Sequence, residues 1–185
     1  SVKVRVDDQC PECAPGNVDL SRDAFAQIAD LATGLVPIRW HYVANDQAGN
    51  IKFYFEPGSS QWWAGVQLRD HLYPITKLEY RASGSGNAYT SIAREPHNYF
   101  IAASGMGLGP FDFRITDMRG QVIEVSRIAF TTGVELNSGV QFAGGNGGGT
   151  TVTGSNGGSG AAGWPVLLLL AGGLALRLRR WQIFH

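Results

Sequence analysis

Between Gly49 and Phe142 apolar residues alternate with polar ones in short runs, and turn-forming residues separate the runs. Alternation with a period of two places every second side chain on one face of a β-strand. The pattern predicts strands at about 51–56, 62–69, 75–81, 88–93, 98–103, 111–117, 121–128 and 139–142, and no helical period interrupts them. Arg119-Gly120, between "FDFRITDM" and "QVIEVS", reads as a hairpin corner. Short strands at this spacing predict a β-sandwich.

Residues 1–43 read differently, as strand, loop, helix, strand. Val2, Val4 and Val6 alternate with Lys3 and Arg5. "DDQCPECAPGN" is a loop by its Asp, Pro, Gly and Asn content. "DLSRDAFAQIADLATG" predicts a helix with Ser21 as N-cap, Asp23 in the first turn and Gly34 as the stop. Leu20, Phe25, Ile28 and Leu31 share its apolar side, and "VPIRWHYV" predicts the next strand. So few elements bury too little surface for an independent core. "ANDQA", residues 44–48, is a polar connector to the strand-rich region.

One stretch conflicts with simple alternation. In "GSSQWWAGVQLR", residues 58–69, strict parity puts Trp62 inward with Ala64, Val66 and Leu68, and Trp63 outward with Gln67 and Arg69. Both indoles face solvent only if residues 58–62 are irregular and the strand begins after Trp62. That arrangement is the expectation, with Trp63 the more secure surface residue.

The C-terminal region changes character. Residues 143–163, "AGGNGGGTTVTGSNGGSGAAG", predict a flexible linker. An apolar stretch follows, within 161–176, and then Arg177, Arg179 and Arg180. Residues 164–180 read as a short hydrophobic membrane segment, with the arginines holding the C-terminus in the cytoplasm. The tail resembles the GlyGly-CTERM class of bacterial sorting signals over about 144–180. That resemblance implies export, transient inner-membrane anchoring and cleavage near the glycines.

Composition narrows the function. The 185 residues carry 15 basic and 15 acidic side chains, which argues against broad electrostatic capture of nucleic acid. The two cysteines, Cys10 and Cys13, lack the second pair that a zinc ribbon needs, and no βαβ unit frames them as a thioredoxin-like site. A local structural disulfide is the ordinary reading in an exported chain. The four histidines have no triad motif around them, and "GMGLGPF" at 105–111 reads as a turn between strands rather than a phosphate loop. No metal or cofactor is expected. Asp8 and Asp19 flank the cysteine loop, where two carboxylates could act on a glycosidic bond. They could equally end a strand and precede a helix. Trp62 and Trp63, together with His97 and Tyr99 at like parity, are candidates for stacking on the apolar faces of sugar rings.

Taken together, "VDDQCPECAPGNVDLSRDAFAQIA", "PIRWHYV", "GSSQWWAGVQLRDHLYPITKLEY" and "FRITDMRGQVIE" resemble a bacterial expansin from about residue 2 to 142. The paired motifs D-x-C-P-x-C…D-L-S and G-S-S-x-W-W carry the resemblance. It implies a mainly β chain: the second half of a double-psi β-barrel over 1–43, an Ig-like β-sandwich that binds cellulose over 49–142, then the glycine linker and the hydrophobic helix. It implies cell-wall loosening without hydrolysis. The barrel is related to family-45 glycoside hydrolases but lacks their catalytic base. By position, Asp19 matches the acid needed for loosening, and Asp8 a second acid of the same groove. Cys10 stands where some bacterial expansins have a groove tyrosine, and a Cys10–Cys13 disulfide is implied in its place. Trp62 and Trp63 match two members of a linear aromatic platform. The third falls at His97, a departure that weakens binding or passes the role to Tyr99. The earlier barrel strands would precede Ser1, so the chain is expected to be a fragment or processed product whose half-barrel packs poorly.

Three functional readings stand at this point. The first is a non-enzymatic, secreted, monomeric wall-loosening protein that binds cellulose. The second is a polysaccharide-binding surface module without loosening activity. The third is a glycoside hydrolase or lytic transglycosylase on a double-psi barrel.

Overall fold

The computed structural model describes residues 1–144, with 152–154 and 181–182 in addition. The chain divides into two compact units, Ser1–His41 with Ser159–His185, and Tyr42–Gly158.

The larger unit is mainly β. Its strands are β2 (Lys52–Phe55), β3 (Ala64–Arg69), β4 (Ile75–Ala82), β5 (Thr90–Arg94), β6 (Phe100–Ala102), β7 (Phe111–Asp117), β8 (Val122–Ile128), β9 (Glu135–Asn137) and β10 (Val152–Gly154). They form one sheet in the order β10-β8-β7-β4-β5-β6-β3-β2-β9, antiparallel except where β10 runs parallel to β8. The sheet curls back on itself at β5. Thr90–Ile92 pair with β4 and Ala93–Arg94 pair with β6, so one strand serves both halves of the curl. The halves meet through the alternate residues of each strand. Phe53 of β2 lies 4.6 Å from Phe113 of β7, and Phe55 packs around Phe111 and Phe113. Leu68, Val66, Leu78, Phe100, Ile115, Ile123 and Val125 are among the other residues of the core.

Seven of the predicted strands appear, each within a few residues of its expected bounds. The predicted strand at 139–142 does not. The edge strand there is Glu135–Asn137, and residues 139–142 are irregular although Phe142 is buried. Apart from the Ile51 N–H, which donates to the Val140 carbonyl at 2.9 Å, side-chain amides take over the work of a ladder. Gln141 Nε2 donates to the carbonyls of Gly49 and Asp70, while its Oε1 accepts from the backbone N–H groups of Leu72 and Phe142. Gln121 binds the N–H and C=O of Ala143 in the same reciprocal way. Buried backbone groups need partners, but the partners need not be strands. Within the stretch read as a flexible linker, Val152–Gly154 form β10 beside β8, so part of it has regular structure.

Buried carboxylates organise the half formed by β4, β7 and β8. Asp117 closes the β7–β8 corner, its Oδ1 accepting from the N–H groups of Arg119 and Gln121, with Gly120 at φ 79°. Asp112 accepts from the Ser83 hydroxyl at 2.6 Å and from the N–H of Arg127, whose φ of 61° marks the bulge between β7 and β8. Glu79 faces Arg114 across the β4–β7 ladder and receives two 2.8 Å bonds from its guanidinium, with Lys77 also 2.8 Å away. The Arg114 guanidinium holds the Glu79 carboxyl at a pKa of about 2, against an ordinary 4.5, in spite of partial burial. A depressed folded-state pKa stabilises the fold above the unfolded value, and that stability is lost as pH falls from about 4.5 through about 2. Glu79→Gln is therefore expected to cost about 2 kcal/mol at neutral pH and to flatten the acid limb of stability, read by urea unfolding between pH 7 and pH 2.

The smaller unit departs from the sequence reading in several places. Residues 1–10 contain no strand, and Val4 and Val6 are exposed. Alternation alone does not make a strand without a neighbour to complete its ladder, and none lies beside it among the described residues. The predicted helix is cut to α1 (Arg22–Phe25) and a 3₁₀ turn at Leu31–Thr33. Ser21 caps α1 and Gly34 ends the turn at φ 71°, both as expected. The interruption is Asp30, which is extended and whose carboxylate accepts from the Ala32 N–H at 2.9 Å, starting a new turn instead of continuing the helix. Of "VPIRWHYV", only Pro37–Ile38 form a strand, β1, which pairs with β11 (Trp181–Gln182). Ala24 and Phe25 are the unit's buried apolar residues among those described. No helix among the described residues is long and apolar enough to cross a membrane. The apolar segment 164–180 lies outside the described residues, as does most of 143–163.

Candidate functional site

The stretch "GSSQWW" builds a tight turn before β3. Ser60 and Trp63 form a two-way bridge, N–H to C=O at 2.7 Å and 3.3 Å, leaving Gln61 and Trp62 as the central pair. The two serines stitch the turn with their hydroxyls. Ser60 Oγ accepts from the Trp62 N–H, and Ser59 Oγ from the Gly65 N–H at 3.1 Å. Trp62 thus stands off the ladder and is 74% exposed. Regular strand geometry begins at Ala64. The backbone is irregular where both indoles need it to be. The relative exposure is reversed from the expectation: Trp62 is the open residue, and Trp63 is half-buried.

The reason for the reversal is Gly65. Trp63 and Gly65 share the outer face of the sheet, and the far edge of the indole reaches over the glycine. A Cβ on Gly65 would come within 3.2 Å of Trp63 Cη2 and 2.8 Å of Glu56 Oε2. The missing side chain makes a shallow hollow into which the Trp63 ring, the Glu56 carboxylate and Ile101 lean.

Strand register extends this face. Gly65 pairs with Ile101 of β6, and Tyr54 of β2 pairs with Gln67. Arg69 stacks its guanidinium 3.9 Å above the Tyr54 ring and bonds Gln67 and Glu135. Tyr99, two residues before Ile101, has its hydroxyl pKa pushed up, first by burial, with Glu56 and Arg69 close enough to act on it. His97 is exposed, with its ring 5.5 Å from that of Tyr99. The face therefore combines Trp62 and Trp63 at the turn, Tyr54 with Arg69, and the His97–Tyr99 pair. Of these, Tyr54 and Arg69 were not candidates from the sequence, and neither was Glu56 beside Trp63. Their signal is cross-strand register, which parity along one strand does not carry.

The remaining candidates lie in the smaller unit. Cys10 and Cys13 are joined by a disulfide that closes a turn, the Cys13 N–H donating to the Cys10 carbonyl. Asp8 and Asp19 are both exposed, and Asp8 accepts from the N–H of Gln9. Trp40 Nε1 donates to the Gly16 carbonyl at 3.0 Å, tying the loop after the disulfide to the end of the unit. No group of three or more metal-ligating side chains occurs among the described residues.

Comparison with known proteins puts this geometry in context. No family model matches the chain. It is 36% identical over 121 residues to Expansin-YoaJ of Bacillus subtilis, covering 65% of this chain and 50% of that protein. It is 26% identical over 131 residues to Expansin-like protein 1 of Dictyostelium discoideum, covering 68% and 45%. Among solved structures it resembles a point mutant of Clavibacter michiganensis expansin in complex with cellohexaose, at a TM-score of 0.65 and 27% identity, covering 77% of this chain and 69% of that one. The chain spans about half the length of the curated relatives it matches.

Proposed function

We infer from the chain's membership of the bacterial expansin family that its larger unit binds the surface of cellulose or a related wall glucan. The observation that carries this is the outer face of β2, β3 and β6, where Trp62 stands open at a tight turn and the Trp63 indole reaches over Gly65. A flat array of aromatic rings suits the apolar faces of successive sugars, and apolar burial at roughly 25 cal/mol per Å² supplies affinity without a deep pocket. The larger unit is assigned as the family's Ig-like β-sandwich, and residues 1–43 as the second half of its double-psi barrel.

The action is physical rather than hydrolytic in this reading. The aromatic face docks on cellulose while Asp19 and Asp8 engage a glucan strand and loosen its contacts with neighbours. The protein works outside the cell as a monomer, anchored transiently in the inner membrane by segment 164–180. A second reading, binding without loosening, is favoured by the thin packing of Ser1–His41, where Val4 and Val6 are exposed. The test incubates the chain with microcrystalline cellulose and with heat-killed plant wall strips under load. Sedimentation with cellulose, wall extension and no release of reducing ends are expected. Sedimentation without extension selects the binding module, and reducing-end release overturns the non-hydrolytic reading.

A further inference from the structure

The turn that carries Trp62 rests on a second loop, 104–110 between β6 and β7, which the proposed binding role does not itself use. Gly105 lies flush against the backbone of Gln61 and Trp62. Its φ is +75°, and a Cβ there would overlap the Gln61 carbonyl and sit 2.6 Å from the carbonyl carbon of Trp62. The N–H of Gly107 donates to the Gln61 carbonyl at 3.2 Å. This loop is in turn fixed from below. Met106 is buried in the core, the Gly105 N–H donates to the Ala102 carbonyl at 2.9 Å, and the Tyr80 hydroxyl donates to the Gly105 carbonyl at 3.2 Å. The Tyr80 ring is itself set edge-on against Phe111 in the core, 5.8 Å between centroids. A continuous chain of contacts therefore runs from core to indole: Phe111, Tyr80, Gly105, the Gln61–Trp62 backbone.

We propose that Tyr80 and the Gly105–Gly107 loop are positioning residues for glucan binding, holding Trp62 in a preset orientation for stacking on the apolar face of a β-linked glucose unit. The inference rests on the reading of Trp62 as a glucan-contacting residue. Trp62 is mostly exposed, so its own side chain makes few contacts that could fix it, and its turn has only two central residues. The turn closes on its own serines, but the loop beneath sets where the closed turn sits, and without it binding would have to order that placement at a cost in affinity. Tyr80 acts from the core side of the sheet and touches no sugar.

The test is a cycle of Tyr80→Phe, Trp62→Ala and the double variant, measured as cellulose binding isotherms. Acrylamide quenching of Trp62 emission, taken as the difference from Trp62→Phe, is measured alongside. Tyr80→Phe keeps the ring and removes one hydrogen bond. It is expected to weaken binding about three- to fivefold at unchanged capacity and to change the quenching of Trp62. In the Trp62→Ala background it should weaken binding no further. The proposal is overturned if Tyr80→Phe binds as the wild type does while Trp62→Ala is weakened, or if the two effects simply multiply. If Trp62→Ala itself binds normally, the glucan-contacting role of Trp62 fails, and the positioning role falls with it.

Discussion

Trp62→Ala combined with Trp63→Ala is expected to lower cellulose affinity by about a hundredfold while leaving the fold intact. Each indole placed on a sugar face removes apolar surface from water, and aromatic stacking adds to this. An estimate of about 1.5 kcal/mol for each ring gives about 3 kcal/mol together, and every 1.4 kcal/mol is a factor of ten. The fold should survive because Trp62 makes few protein contacts and Trp63 lies on the outer face rather than in the core. Surface changes of this kind usually move stability little. The measurement is a depletion isotherm on microcrystalline cellulose beside a thermal melt. Wild-type binding by a variant with an unchanged melt would remove the aromatic face from the mechanism. The single variants should be unequal, because Trp62 is free to meet a ligand and Trp63 is partly committed to the hollow above Gly65.

Phe113→Ala is expected to have the largest effect on stability, a loss of about 3–5 kcal/mol. Phe113 is fully buried where the two halves of the curled sheet meet, 4.6 Å from Phe53, 6.2 Å from Phe111 and 6.3 Å from Phe55. Removing the ring leaves a cavity lined by three other rings on paired strands, which cannot easily collapse into it. Domains of this size are commonly stable by only about 5–15 kcal/mol, so the variant should unfold at a much lower urea midpoint with an unchanged slope. A midpoint within experimental error of the wild type would mean that the halves are not held together at this contact.

Most of the larger unit was legible because its strands alternate cleanly. Phe111, Phe113 and Ile115 point into the core while Arg114 and Thr116 lie on the other face, and that pattern needs no knowledge of partners; Asp112 shares their parity but is buried by its own hydrogen bonds. The same rule failed for Val2–Val6, where the alternation is present but no described strand lies alongside to use it. It failed at 139–142 for the opposite reason: the segment is held in place, but by a backbone bond from the Ile51 N–H to the Val140 carbonyl and the amides of Gln121 and Gln141 rather than by a continuous ladder.

The motif "GSSQWW" shows where the boundary lies. Local chemistry alone accounts for the turn, because Ser59 and Ser60 sit where their hydroxyls can take the N–H groups that the turn leaves free. An outward Trp62 follows from that turn. The exposure of Trp63 could not be read in this way. It depends on the open space above Gly65, on Glu56 and Ile101 arriving from neighbouring strands, and on a register that brings Tyr54 opposite Gln67. The support under Trp62 comes from Gly105, more than forty residues away along the chain. Side-chain alternation and turn closure are properties of a few adjacent residues, so sequence determines them. Which rings share a face, and what holds them there, is decided by strand pairing and loop packing between distant segments, and those exist only once the chain has folded.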